Sequence, residues 1–466
     1  MELVRNAYIK MLEWSKKQKK NPLIIDGLRQ VGKTYLCEKL GREEYDNYVL
    51  YDFRYDKNLS RLFFNNGTIS VDNFINNSVV YFPNKTFVPK KTLLIFDEIN
   101  DSSVARESLK LFGLDGRYDV VATGSLLGVS DLISKHIPAG YDEYLTLKPL
   151  DFIEFLVACG ISKEAMDSIQ SAVDDGIRLS ETYLKVLYSH FLRYIIVGGM
   201  PSAVIKYLET SNLIDVRKVQ TDLIKDYIAD FGTRYKEDGS RFLDAKLLVR
   251  ISRAFDSIPD QLAKENKKFK YTAIEPGGRS SEFSDALNWL EKIGLIVRSH
   301  NVRAIESPLE GNSITDEFKV FLSDIGLLIA SYPITLTNEL ISGELGSYKG
   351  AIYEAVCADM ISKQDISLFY YADSMRHLEN DFLIESADGI EVIETKATNG
   401  KMASAKKLAS DNSPYKIHKV YKLIKEGYGE GSYFESFPHY LLPFFLRNIK
   451  DKIENALTKL DELKKI

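Results

Sequence analysis

The sequence has 466 residues, too many for one ordinary core and enough for roughly three domains at the usual ~100 to 200 residues each. Apolar residues make up 45% and charged residues 27%, a globular composition, and no stretch approaches the ~18 uninterrupted apolar residues of a membrane span. A net charge of -5 argues against coating nucleic acid through bulk charge, though it leaves room for a local basic face; three cysteines and six histidines, all scattered, offer neither a disulfide framework nor a zinc cluster.

At the N-terminus an amphipathic pattern (Leu3, Tyr8, Leu12) runs into the basic stretch Lys16-Lys17-Gln18-Lys19-Lys20. It lacks the apolar core of a secretion signal, so a cytoplasmic protein without membrane association is expected. Asn21-Pro22 reads as a turn, Leu23-Ile24-Ile25 as a buried strand, and Thr34 to Leu40 as a helix. Between them lies GLRQVGKT, the eight-residue spacing of a phosphate-binding loop in its proper context. Gly27 and Gly32 let the backbone wrap so that its N–H groups and the helix N-terminus face phosphate oxygens. Lys33 would reach the β and γ phosphates and Thr34 would ligate Mg²⁺, with Gly27, Leu28, Arg29, Gln30, Val31, Gly32, Lys33, Thr34 and Tyr35 lining the nucleotide.

Such a loop needs a carboxylate strand to hold Mg²⁺ from the far side and to orient an attacking water. Leu93-Leu94-Ile95-Phe96-Asp97-Glu98 supplies one: four apolar residues for a strand buried on both faces, Asp97 for the metal through water, and Glu98 to polarise the nucleophile. A third strand, Val120 to Thr123, runs into Gly124-Ser125. A hydroxyl there could sense the terminal phosphate, and either Thr123 or Ser125 could supply it; a strand leaving through a Gly-Ser turn is the equal alternative for each.

GLRQVGKT, LLIFDEIN, VVATGSLLG, then Leu145 to Leu156 and Val197-Gly198-Gly199-Met200-Pro201 come in an order that resembles a large prokaryotic family of AAA-fold P-loop ATPases. The resemblance spans nearly the whole chain. It implies ATP and Mg²⁺ as cofactors, an ATPase module, a winged helix, and a C-terminal domain of unknown function with a PD-(D/E)xK nuclease-like fold. Many members carry an arginine after the glycine preceding the last core strand; here Gly140 is followed by Tyr141. Hydrolysis is therefore expected to be slow, or to use another arginine such as Arg106 or Arg117.

From Asp151 to Asp230 apolar spacing is helical (Phe152, Phe155, Leu156, then Leu184, Leu187, Phe191), as in the lid of such a module. By resemblance Gly199 and Pro201 would sit where the lid closes on nucleotide, with a plain helix-breaking turn as the preferred reading. Helices are expected at Leu247 to Phe255, Ser257 to Leu262 and Phe283 to Ile293, with a strand at Gly294 to Val297, the order of a winged helix. The face around Arg279, Glu282 and Asp285 has no excess of base over acid, which favours a structural or protein-contact role over a DNA groove.

Farther on, a helix holding Glu354 precedes strands with Asp381 and with Glu394-Thr395-Lys396, placing Glu394 and Lys396 on one face. Glu354, Asp381, Glu394 and Lys396 match the order of a PD-(D/E)xK core, in which carboxylates bind Mg²⁺ on a phosphodiester and lysine activates water. A solvated hairpin with a polar face is the alternative. The apolar stripe Leu446, Ile449, Ile453, Leu457, Leu460 and Leu463 reads as an amphipathic helix packed on the protein.

The expected architecture is a multidomain α/β chain: a P-loop parallel sheet (1–150), a helical lid (151–235), a winged helix (236–325) and a restriction-endonuclease-like α/β domain (326–466). The expected function is that of an ATP-binding, ATP-hydrolysing switch near nucleic acid, with DNA or RNA, a protein partner or a homo-oligomer as its output. The alternatives are an ATP-gated Mg²⁺-dependent nuclease and a signalling ATPase that engages proteins only.

Overall fold

The computed structural model describes residues 2–65, 67–124, 140–231, 243–264, 267–342, 349–397, 402–410, 412–425 and 427–463. The chain divides into two compact units: Met1–Pro149 with Lys292–Gly294, and Leu150–Glu291 with Leu295–Ile466.

In the first unit, β1 (Leu23–Gly27), β2 (Asn47–Asp52), β5 (Thr92–Asp97), β6 (Asp119–Thr123) and β7 (Glu143–Leu147) form a sheet of order β2-β5-β6-β1-β7. Every pairing in it is parallel. Two short strands, β3 (Phe64–Asn65) and β4 (Thr68–Ile69), make a separate ribbon. β1, β5 and β6 are buried along their whole length, as continuous apolar runs in a parallel sheet require. An aromatic cluster of Tyr51, Phe53, Phe63, Phe74, Phe96 and Phe112 fills one side, with Phe63 stacked 4.4 Å from Phe74. Because β6 lies between β1 and β5, three neighbouring strands end together, and the residues at their C-terminal ends can meet.

The second unit begins with helices, among them Phe152–Ala158, Glu181–Val197, Pro201–Thr210 and Leu213–Phe231. Among the described residues its sheet has eight strands: β8 (Ile296–Val302), β9 (Ser313–Leu322), β10 (Leu368–Asp373), β11 (Leu378–Ser386), β12 (Gly389–Thr395), β13 (Ile417–Ile424), β14 (Gly429–Glu430) and β15 (Glu435–Pro438). Their order is β14-β15-β13-β12-β11-β10-β8-β9, with β8 and β10 parallel and β10, β11 and β12 antiparallel in turn.

Two expectations change here. Residues 245 to 262 form one helix rather than two, because Ile251, Ala254, Phe255, Ile258 and Leu262 keep a buried stripe running past Pro259. That burial outweighs the ~3 kcal/mol a proline costs inside a helix. The strand expected at Gly294 to Val297, in a winged helix ending at 325, is β8, which pairs with β9 and also with β10 through Ser299↔Leu368 and Asn301↔Tyr370. Val302, Ile305 and Leu309 share a core with Phe369, Leu383 and Val392, so segments 236–325 and 326–466 have a common sheet and interior. At the C-terminus, Leu446 and Ile449 of the helix Leu442–Leu463 are buried, and the side chains of Leu457, Leu460 and Leu463 lie outside the described residues. Among the described residues, no helix is long and apolar enough to cross a membrane.

His439, 1% exposed, packs 4.5 Å from the ring of Tyr353. Burial holds its pKa at about 3, below the ordinary 6.5. The unfolded chain therefore binds the extra proton between those values, and stability is complete above 6.5 and falls as pH drops toward 3. At roughly 1.4 kcal/mol per pH unit, this imidazole should cost about 2 kcal/mol by pH 5. Urea unfolding at pH 7 and pH 5 should show His439→Phe losing correspondingly less than the parent; equal losses would assign the acid sensitivity elsewhere.

Candidate functional site

The loop after β1 is shaped by two glycines with different requirements. Gly27 has φ 136°, and a Cβ there would lie 2.1 Å from the carbonyl oxygen of Leu147 on β7, so close approach as well as conformation demands glycine. Gly32 has φ 96° with nothing within 4 Å of a Cβ, so its requirement is conformational, and it precedes the helix Lys33–Glu44. Leu28 and Val31 are buried, Gln30 is left-handed at φ 62° and exposed, and Arg29 is half-buried. Tyr35 is exposed, with the guanidinium of Arg42 5.9 Å from its ring centre.

Lys33 is 7% exposed and donates 3.0 Å hydrogen bonds to the carbonyls of both Gly27 and Leu28. Burial lowers its pKa, against the opposing pull of Glu98 and Asp97. Arg5, which sequence spacing did not single out, donates to the carbonyls of Val31 at 3.1 Å and Lys148 at 2.5 Å and so braces the loop from below.

Thr34 donates its hydroxyl to both oxygens of Asp97, at 2.9 and 3.1 Å. Thr123 donates to Asp97 and accepts the Glu98 N–H at 3.1 Å. It is 1% exposed and so braces the Asp97 carboxylate and the Glu98 backbone from within the sheet. Burial raises the pKa of Asp97, and the hydroxyls of Thr123 and Thr34 draw it back down. Ser125, the other expected hydroxyl, lies outside the described residues. A hydroxyl and a carboxylate in contact beside the loop are hard oxygen donors that fit Mg²⁺, which prefers one or two protein ligands with water and phosphate completing its shell.

Glu98 sits at φ 49°, a left-handed position uncommon for a non-glycine residue. Its carboxylate lies 3.5 Å from Arg54, whose Nε is 3.6 Å from Asp101. Arg54 was not expected; it follows β2, a strand with only Val49 and Tyr51 buried and no continuous apolar run to announce it. Arg106 and Arg117, the arginines considered as substitutes at Tyr141, are engaged elsewhere. Arg106 is buried against Asp142 at 2.8 Å and Tyr144 at 2.7 Å, and Arg117 pairs with Asp115 and Asp72. Tyr141 itself lies under the Lys110 ammonium, 4.7 Å from the ring centre.

In the second unit, β11 and β12 bring Asp381, Glu394 and Lys396 together. Lys396 donates to Glu394 at 2.6 Å and lies 3.8 Å from Asp381, while Asn380 donates to the other Glu394 oxygen at 2.5 Å. Asp381 accepts the Thr395 N–H at 2.8 Å and its hydroxyl at 2.9 Å. Glu354, on the helix Lys349–Lys363, takes Lys319 of β9 at 2.9 Å on one oxygen and Lys267 on the other. Burial works against the Lys396 ammonium, but Asp381 and Glu394, with Glu354 behind them, hold its pKa above the usual range. Burial pushes Glu394 up to about 7, with the charge of Asp381 adding to it. Burial also opposes ionisation of Glu354, yet Lys319 and Lys267 prevail and hold it at about 2. Among the described residues, no three His, Cys, Asp or Glu side chains gather into a metal-binding group.

Two family models match separate parts of the chain. Residues 188–338 match the family model of a domain of unknown function (DUF8612). No curated protein matches the sequence. Similar solved structures include the Aeropyrum pernix Orc1 protein in complex with DNA (11% identity, 74% of this chain and 93% of that one, TM-score 0.31). They also include the Thermotoga maritima RuvB Holliday junction branch migration motor (13% identity, 64% and 90%, TM-score 0.28). A third is the S. cerevisiae Hsp104–ADP complex (13% identity, 63% and 39%, TM-score 0.28). Residues 19–156, which contain the loop, Asp97, Glu98 and Thr123, match the family model described as an AAA domain, and the match supports an AAA-type P-loop ATPase in this part of the chain.

Proposed function

We propose that this protein is an ATP- and Mg²⁺-dependent AAA-type switch whose nucleotide site comprises residues 27–35 with Asp97 and Glu98. The observation that carries the reading is the Thr34–Asp97 contact beside the inward-turned Lys33, which supplies hard oxygen donors and a buried cation at one place. Loop N–H groups and Lys33 would hold the phosphates, Thr34 and Asp97 would hold Mg²⁺, and Glu98 would accept a proton from the attacking water. The bound metal would neutralise charge on the phosphates. With Tyr141 in place of an arginine and Arg106 and Arg117 tied into their own pairs, slow turnover is the expected regime, which suits a switch better than a motor.

Phosphate release measured with Mg²⁺, with Mg²⁺ removed by chelation, and with DNA or RNA added would test this. Mg²⁺-dependent release supports the reading, and stimulation by nucleic acid would identify the output. No release, together with no nucleotide-dependent change in protease sensitivity, would sink it. Arg54→Ala should free Glu98 and raise kcat by up to about fivefold, since a partly exposed pair is worth up to about 1 kcal/mol. A tenfold fall in kcat would instead show that Arg54 acts on the phosphates.

A further inference from the structure

The C-terminal cluster has an acidic order that would suit a metal, but five of the six oxygens of Glu354, Asp381 and Glu394 already carry a donor. Three carboxylates at its centre, Glu354, Asp381 and Glu394, face three ammonium groups, Lys267, Lys319 and Lys396, and a fourth, the exposed Glu379, lies at its edge beside Lys319. Both oxygens of Glu354 carry a lysine, both oxygens of Glu394 carry a donor, and one oxygen of Asp381 takes two. A divalent ion bridging them would have to expel Lys319, whose side chain is 2% exposed against a Glu354 side chain of 3%. It would also enter a cluster whose buried carboxylates are already matched by lysines, the surplus carboxylate being the exposed Glu379, 3.5 Å from Lys319.

The lysines come from separate parts of the unit. Lys267 follows the helix Ala245–Leu262, Lys319 belongs to β9, and Glu354 lies on the helix Lys349–Lys363. We propose that Lys267 and Lys319 stand where a divalent cation would otherwise sit, making the cluster a metal-free lock that fastens β9 and the segment after Leu262 to the helix Lys349–Lys363. The cluster then holds the unit together and does not cleave phosphodiesters.

The test uses the full chain with Mn²⁺ as the probe. Calorimetric titration with Mn²⁺ should give the same stoichiometry for the parent and Asp381→Asn, and neither should nick supercoiled plasmid or cut RNA in Mn²⁺. Loss of a binding equivalent in Asp381→Asn, or Mn²⁺-dependent cleavage that this substitution abolishes, would overturn the proposal. The parent's melting midpoint should be unmoved by a chelator, whereas Lys319→Met should lower it by several degrees in metal-free buffer. If Lys319→Met does not fold, the more exposed Lys267→Met takes its place with the same expected shift. A midpoint that falls with chelator, or one untouched by the lysine substitution, would overturn the lock.

Discussion

Lys33→Ala is expected to weaken ATP binding by at least about a hundredfold and to abolish hydrolysis. An ammonium shared between two phosphates makes charge-assisted hydrogen bonds worth about 1.5 to 3 kcal/mol each, and every ~1.4 kcal/mol is a tenfold change in affinity. In this structure the same ammonium bonds the carbonyls of Gly27 and Leu28, inside a loop already braced by Arg5 and by the packing of Leu28 and Val31. Its removal should therefore leave the unit folded, and circular dichroism should be unchanged. Calorimetry with Mg²⁺ and ATP measures the effect. Unchanged affinity would refute the assignment of the loop as a phosphate cradle, whatever the hydrolysis rate.

The loop and strand ends of the proposed nucleotide site were legible as structure because their pattern is local in sequence. Residues 27 to 34 carry their own spacing, and the apolar runs before Asp97 and Thr123 mark strands buried on both faces, so each chemical group could be placed at a strand end. β2 was harder to read, because a half-buried strand carries a weaker apolar signal, and with it went Arg54. In the C-terminal cluster, Asp381, Glu394 and Lys396 were found because neighbouring strands bring them together. The two lysines on Glu354 were not, since they lie 87 and 35 residues away in the chain and arrive by tertiary packing. The sheet shared across 325 was not legible for a related reason: a strand's outer edge looks the same in sequence whether it faces solvent or, as β8 does, pairs with β10. Local periodicity also suggested a break at Pro259 that the buried stripe overrides.

Gly198-Gly199-Met200-Pro201, read from sequence as a lid hinge or a turn, leads to the second large expectation. Gly198 has φ 69°, and a Cβ on it would lie 2.2 Å from an oxygen of Asp324; one on Gly199 would lie 2.0 Å from the carbonyl oxygen of Leu150. Asp324 accepts the Gly199 N–H at 2.6 Å, and Lys363 reaches Asp324 at 3.1 Å and Asp359 at 2.8 Å. Tyr194 donates to Asp359 at 2.7 Å and accepts from Lys363 at 2.9 Å. This knot is closed to solvent, with Asp324 and Asp359 at 0% exposure, and it ties the turn to the helices Glu181–Val197, Ile325–Ser331 and Lys349–Lys363. Burial pushes Asp359 up to about 6 even with Lys363 beside it. Lys363→Met would leave two buried carboxylates without their cation, so a loss of about 3 to 5 kcal/mol is expected. Tyr194→Phe, which removes a hydroxyl and leaves the charges paired, should cost about 1 to 2 kcal/mol. Urea unfolding of the two variants separates the cases: a larger loss for Lys363→Met assigns the turn to a charged structural joint, and near-equal small losses would return it to the role of a free hinge.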